Sequence, residues 1–136
     1  MKKIAFYVEG QTEQFFINKL LIEISGRKNI AIELKKFGGK NNVPTNTIFP
    51  KSVANASHPQ YSALIYDCGG DTGVKPRILD DYATLMASGY VKIIGIRDLF
   101  PLTDLLKLEN YLKFGNGTNI PAWFPWCTRQ PWRQEQ

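Results

Sequence analysis

Acidic residues stand where predicted strands end, and this spacing is the first indication of chemistry in the chain. Glu9, Asp67 and Asp98 each follow a short apolar run and precede a glycine or proline closely. The carboxyl ends of parallel strands meet at one edge of a sheet, so we expect these carboxylates to lie close together. Crowded carboxylates repel one another unless a hard cation lies between them. Mg²⁺ (or Mn²⁺) binds such oxygens together with substrate phosphates, which indicates a metal-assisted phosphoryl-transfer site.

Turn formation is the competing explanation for each acid taken alone. Aspartate favours turns and caps the helix that follows. Asp71 lies in a Gly-Gly-Asp-Thr-Gly loop, where turn formation outweighs metal binding, although Asp71 remains a candidate ligand. The convergence of three strand ends, rather than any single acid, favours function.

Basic residues near this edge are candidates for contact with a phosphate. Arg97 precedes Asp98, and Lys75 and Arg77 follow the Asp71 loop. Lys40 follows two glycines in what we interpret mainly as a turn. The net charge of +5 suits a nucleic-acid partner, DNA or RNA. An ordinary solvated surface with simple ion pairs explains these cations equally well.

The remaining reactive residues predict little chemistry. Cys68 and Cys127 lack metal-site or disulfide spacing, which favours a reducing, cytoplasmic setting. A carboxylate beside Cys68 raises a thiol pKa, so we expect this thiol to be inert. His58 is the only histidine. No apolar run is long enough to cross a membrane, so we expect no membrane association.

Strands and helices alternate along the chain. Apolar runs predict strands at 3–8, 30–35, 62–66 and 90–96. Helical spacing predicts helices at 12–25, after Asp71 and at 104–114. The predicted buried face of the first helix is Phe16, Ile17, Leu20, Leu21 and Ile24, and that of the second is Ile78, Leu79, Tyr82, Leu85 and Met86.

This alternation predicts an α/β fold: a three-layer sandwich with a mostly parallel, Rossmann-like four-stranded sheet. The length of 136 residues suits one such domain, which we place at 1–115. Residues 116–136 are rich in Trp and Pro and have no clear period. This tail either caps the core, binds a partner or is disordered, and its composition also suggests truncation. The sequence leaves open whether the chain forms a homodimer and whether it is part of a longer protein.

The segment VEGQTEQFF, from Val8 to Phe16, resembles the opening of the TOPRIM domain. That domain is shared by topoisomerases, bacterial primases and OLD-family nucleases. The resemblance spans roughly residues 3–115. It implies that Glu9 is a general acid/base or a metal ligand and that Glu13 is a second catalytic acid. It also implies Mg²⁺ as cofactor.

The second TOPRIM motif, Asp-x-Asp, is incomplete. Asp98-Leu99-Phe100 and Asp67-Cys68-Gly69 each keep only the first acid. The chain is more closely similar to small, uncharacterised bacterial TOPRIM-like proteins with Asp-Cys-Gly-Gly-Asp and Ile-Arg-Asp-x-x-Pro segments. This departure puts a two-metal mechanism in doubt and leaves one-metal chemistry or an inactive module open.

Three hypotheses follow. The first is a Mg²⁺-dependent nuclease in which Glu9 is the acid/base, Asp67, Asp98 and Asp71 are metal candidates, and Arg97 contacts the phosphate. A TOPRIM-like setting of the OLD type would add a role in bacterial defence. The second is a catalytically degenerate module that binds nucleic acid or a protein partner. The third is an unrelated Rossmann-like enzyme, which requires a pocket for a small phosphorylated substrate.

Overall fold

A computed structural model describes residues 1–37, 47–49, 58–98, 113–114, 118, 120 and 125–129. Within these ranges the strands are β1 (Lys2–Val8), β2 (Ile30–Lys36), β3 (Thr47–Phe49), β4 (Tyr61–Asp67), β5 (Tyr90–Asp98) and β6 (Trp126–Arg129). The helices are α1 (Gln11–Ser25) and α2 (Val74–Ala87), and a 3₁₀ turn, Asp71–Gly73, precedes α2. The helix predicted at 104–114 lies almost entirely outside the described residues.

The strands form one sheet in the order β3-β2-β4-β1-β5-β6. The four predicted strands β2, β4, β1 and β5 are neighbours and all pair in parallel, which confirms the α/β fold class. β3 pairs antiparallel with β2 at one edge, and β6 pairs in parallel with β5 at the other. Neither edge strand was predicted, because runs of three and four residues are too short to show a period.

The core consists of two apolar layers, one on each face of the sheet. Because both faces are covered, the central strand β1 is buried continuously from Ala5 to Val8. The layer under α1 contains Phe6, Val8, Ile17, Ile30, Ile32, Ala63 and Ile65. The layer under α2 contains Ala5, Tyr7, Leu64, Tyr66, Cys68, Val74, Ile78, Leu85, Ile93 and Ile120. One helix on each face gives the expected three-layer sandwich.

The predicted buried face of α1 is partly wrong. Ile17 is buried, but Phe16 and Ile24 are 63% and 74% exposed, and Leu20 is also exposed. Gln14 is buried instead.

A polar anchor explains this orientation of α1. The Gln14 Nε2 group donates to the backbone oxygens of Lys35 at 2.9 Å and Ile65 at 3.0 Å. These two hydrogen bonds fix α1 across the ends of β2 and β4, and hydrophobic periodicity does not reveal them.

Of the residues predicted to form the buried face of α2, those at its centre are buried and those at its margin are exposed. Ile78 and Leu85 are buried and Tyr82 is half-buried. Leu79 and Met86 are exposed. The buried stripe of α2 is therefore narrower than the apolar pattern predicts.

Replacing Gln14 tests the anchor. We expect Gln14→Ala to lower the free energy of unfolding by about 1–3 kcal/mol, because two hydrogen bonds in buried surroundings are lost. Urea denaturation followed by circular dichroism measures this change. The control is Gln11→Ala, one turn earlier and exposed, which should stay within about 0.5 kcal/mol of wild type. Equal effects of the two substitutions would contradict the anchoring role.

Candidate functional site

The sheet order brings the ends of β4, β1 and β5 side by side. Val8, at the end of β1, pairs with Asp67 of β4, and Tyr7 pairs with Gly95 of β5. Glu9 directly follows β1 and therefore lies between the carboxyl ends of its two neighbours. The backbone thus places the three predicted acidic positions on adjacent parallel strands.

Asp67 is held by its own turn. Its side chain is buried, with only 3% of the residue exposed. Its Oδ1 accepts a hydrogen bond from the Gly69 N–H at 2.9 Å, and its backbone oxygen accepts one from the Phe37 N–H at 2.7 Å. This is the turn geometry in which Asp is favoured, so turn formation explains part of what Asp67 does.

The geometry separates Asp67 from the end of β5. Neighbouring strands lie about 4.8 Å apart, so the backbones of β4 and β5 are about 10 Å apart with β1 between them. Among the residues whose side chains the structure describes, no group of three or more His, Cys, Asp or Glu could hold a metal ion. The side chains of Asp71 and Asp98, and all of Lys40, lie outside the described part. The Mg²⁺ site therefore stays a prediction.

The turn between β1 and α1 has the predicted strand-turn-helix form. Gly10 is the N-cap of α1 and is extended, with a φ of −160°. Its carbonyl accepts the Gln14 N–H at 3.1 Å. Glu13 lies in the first turn of α1, where a carboxylate interacts favourably with the positive end of the helix. Glu13 therefore has a structural role there, whether or not it has a catalytic one.

The predicted phosphate-binding cations of α2 have structural contacts. The Arg77 guanidinium lies 4.1 Å from the Phe37 ring centroid and pairs with Asp80 at 3.1 Å. The Lys75 ammonium donates to the Lys113 backbone oxygen. Partial burial lowers the pKa of Lys75. Both cations belong to the helix on the opposite sheet face from α1.

Arg97 is buried in the sheet and is only 4% exposed. Along β5, Ile93 belongs to the layer under α2, whereas Ile94 and Ile96 pack into the layer under α1. Alternation therefore places Arg97 on the α2 face. Asp67 follows Ile65 by two residues and lies on the α1 face, so Arg97 and Asp67 point to different layers.

Sequence reasoning missed a tyrosine pair under α2. The rings of Tyr7 and Tyr66 stack at a centroid distance of 5.2 Å, and the Tyr7 hydroxyl donates to Asp81 at 2.8 Å. Burial is the main cause that raises the pKa of both phenols, and the Asp81 charge is the second.

Burial is also the main cause that raises the pKa of the Cys68 thiol, and the Asp67 charge is the second. The prediction that Cys68 is an inert thiol is consistent with this environment.

A cavity was also missed. It has a volume of about 310 Å³ and lies where α1 begins, above the carboxyl ends of β2 and β4. Its walls are formed by Gln11, Gln14, Phe15, Leu34, Lys35, Lys36 and Asp67. These residues come from three separate segments, so only the pairing of β2 with β4 brings them together. We call this space the α1 cavity.

Comparisons of the chain with protein-family models, with curated proteins and with solved structures found no match. In the described part of the chain, no helix has the length and apolar character needed to cross a membrane. The geometry of the strand ends and of the α1 cavity is therefore the basis for any functional proposal.

The tyrosine pair makes stability depend on alkaline pH. The pKa of Tyr7 is raised from its ordinary value of 10.0, so above that pH the unfolded chain releases a proton that the folded chain retains. The stability that the protonated Tyr7 contributes is fully present below pH 10, and it decreases as pH rises further. At pH 8 we expect the free energy of unfolding of Tyr7→Phe to be about 1–2 kcal/mol lower than that of wild type, because the variant lacks the hydrogen bond to Asp81. From pH 8 to 11 its stability should fall by about 1 kcal/mol less than that of wild type.

Urea unfolding at the two pH values measures this difference. Tyr61→Phe is the control, since Tyr61 is an exposed tyrosine on β4. A Tyr7→Phe protein that loses as much stability between pH 8 and 11 as wild type would contradict the assignment.

Proposed function

We propose that this chain is a Mg²⁺-dependent (or Mn²⁺-dependent) phosphoryl-transfer domain of the TOPRIM-like type that cleaves DNA or RNA. The observation that carries the proposal is the position of Glu9, between the ends of β4 and β5 and next to Asp67 and Asp98 in strand order. Carboxylates on adjacent strand ends are a donor set that suits a hard divalent cation.

Glu9 and Asp98 are the best candidates to hold the metal. They end neighbouring parallel strands, and Glu9 is only half-buried. Asp67 is the weaker candidate, because it is only 3% exposed whereas Glu9 is half-buried. When bound, the metal would polarise the phosphodiester and stabilise the leaving oxygen. Glu9 would hold or release the proton exchanged with the attacking water.

Charge supports nucleic acid as the substrate. The chain carries a net charge of +5, which favours association with a polyanion. Lys36, the last residue of β2, pairs with Asp67 in register, so positive charge reaches the same sheet edge as the acids. A cytoplasmic location, predicted from the cysteine usage, also belongs to this proposal. A role in bacterial defence belongs to it through the TOPRIM resemblance.

A binding module without catalysis is the second candidate function. It is favoured by Asp67, whose carboxylate is engaged in its turn, and by the Phe100 that replaces the second acid of Asp-x-Asp. In this case the same sheet edge would contact nucleic acid, and the acids would shape the turns.

Substitution of the two best metal candidates separates these functions. With Mg²⁺ or Mn²⁺ present, we expect the wild type to cleave fluorophore-quencher DNA or RNA oligonucleotides. Glu9→Gln and Asp98→Asn should each reduce cleavage at least about 100-fold, because a proton-transfer group or a metal ligand is lost. Calorimetry of metal binding on the same proteins provides the independent measurement.

Glu23→Gln is the matched control, since Glu23 is an exposed acid on α1 far along the helix from Glu9. It should cleave like wild type. Folded wild type that neither binds metal at millimolar concentration nor cleaves would overturn the nuclease proposal and leave the binding module. Full activity of Glu9→Gln would also overturn the assigned role of Glu9.

A further inference from the structure

The α1 cavity presents hydrogen-bond acceptors at its inner wall. Gln14 and Asp67 both line it, and each is more than nine-tenths buried. The Gln14 amide nitrogen donates to two backbone oxygens, which fixes the orientation of the amide. Oε1, an acceptor, is therefore the group that Gln14 can offer to the cavity.

Asp67 supplies the second acceptor. An ionised carboxylate accepts about four hydrogen bonds and donates none. Within the described part of the chain, the donor to this carboxylate is the Gly69 N–H on Oδ1. The carboxylate therefore retains accepting capacity toward the cavity, and a ligand that enters must bring donors to meet Asp67 and Gln14.

The outer walls of the α1 cavity have a different character. Phe15 and Leu34 provide apolar surface, and the half-exposed Phe15 ring can stack on a planar group. Lys36, which pairs with Asp67 in register, provides positive charge on the α1 face. Lys35 contributes its backbone oxygen, which accepts the Gln14 amide. Its ammonium pairs with Glu33 at 3.8 Å on the α2 face, because Lys35 is the register partner of Tyr66.

These features exclude some ligands. A metal ion at Asp67 would lie beside Lys36, the register partner of Asp67, which disfavours it electrostatically. A purely apolar ligand would add no donor to the buried carboxylate beyond the Gly69 N–H. The volume of about 310 Å³ is at the small end of ligand sites and suits one planar ring system.

A guanine nucleotide is complementary to the acceptor, apolar and positively charged residues that line the α1 cavity. The Watson–Crick edge of guanine carries two adjacent donors, N1–H and N2–H, which pair with a carboxylate. Adenine and cytosine offer one amino group at this edge. Uracil and thymine place carbonyl oxygens on both sides of their single N–H, and these oxygens would repel Asp67.

We infer that the α1 cavity binds a guanine base, with Asp67 and Gln14 accepting from its edge, Phe15 stacking on its ring and Lys36 holding its phosphate. The inference deepens the proposed function, because it names the base that a nucleic-acid substrate places at this end of the sheet. It requires no metal, so it can be tested apart from cleavage.

Calorimetric titration of the full chain with GMP, AMP, CMP and UMP, in EDTA, tests the inference. We expect GMP to bind at least 10-fold more tightly than UMP, since two donors meet Asp67 in place of one. Asp67→Asn should reduce this preference to less than about 3-fold, because the carboxamide presents one acceptor where the carboxylate presents two. The Asn oxygen can still accept the Gly69 N–H, so the turn and the fold are expected to remain.

Matched variants separate the parts of the site. Asp80→Asn makes the same chemical change at an exposed position on α2 and should keep the wild-type preference for GMP. Lys36→Ala should weaken GMP binding several-fold and leave guanosine binding unchanged, because guanosine has no phosphate.

Several results would overturn the inference. These are equal affinities for the four nucleotides, a GMP preference that survives in Asp67→Asn, and no GMP binding by the folded wild type at millimolar concentration. A GMP preference in a protein without metal-dependent cleavage would support the inference and overturn the nuclease proposal. Cleavage without a GMP preference would do the reverse.

Discussion

The parallel pairing of β1 between β4 and β5 is the constraint on which the rest of the structure depends. β1 pairs with β4 along its whole length and with β5 from Lys3 to Tyr7. Its residues Ala5 to Val8 are buried because α1 and α2 cover opposite faces of the sheet. Since β1 ends level with β4, any group on the following turn lies at the centre of the carboxyl edge. Glu9 has that position for this reason alone, whatever chemistry it performs.

The orientation of α1 is set by polar atoms rather than by its apolar residues. Two hydrogen bonds from Gln14 hold the first turn against β2 and β4. A helix anchored in this way turns Phe16 and Ile24 outward, at some cost in burial. The α1 cavity lies beside this anchor, between the first turn of α1 and the strand ends, and Gln14 forms part of its wall.

The sequence predicts secondary structure well where the hydrophobic pattern extends over many consecutive residues. Apolar runs and helical spacing predict four strands and both described helices, and their alternation predicts the three-layer fold. β3 and β6 were missed because three or four residues carry no period. The predicted buried face of α1 was partly wrong, because the hydrogen bonds from the Gln14 side chain to distant backbone oxygens outweigh the hydrophobic pattern. The α1 cavity could not be predicted, since Gln14, Lys36 and Asp67 become neighbours only through the pairing of β2 with β4.

The acids that the sequence groups together fall into two environments. Asp67 is buried on the α1 face, accepts the Gly69 N–H and lines the α1 cavity, and its register partner on β2 is Lys36. Glu9 is half-buried and follows β1, which lies between β4 and β5. Lys36 is the register partner of Asp67, and a positive charge on the same face disfavours a second cation there. The proposed metal would therefore be held by Glu9 and Asp98, and the proposed guanine base by Asp67. The two proposals thus place metal binding and base recognition one strand spacing apart on the same sheet edge.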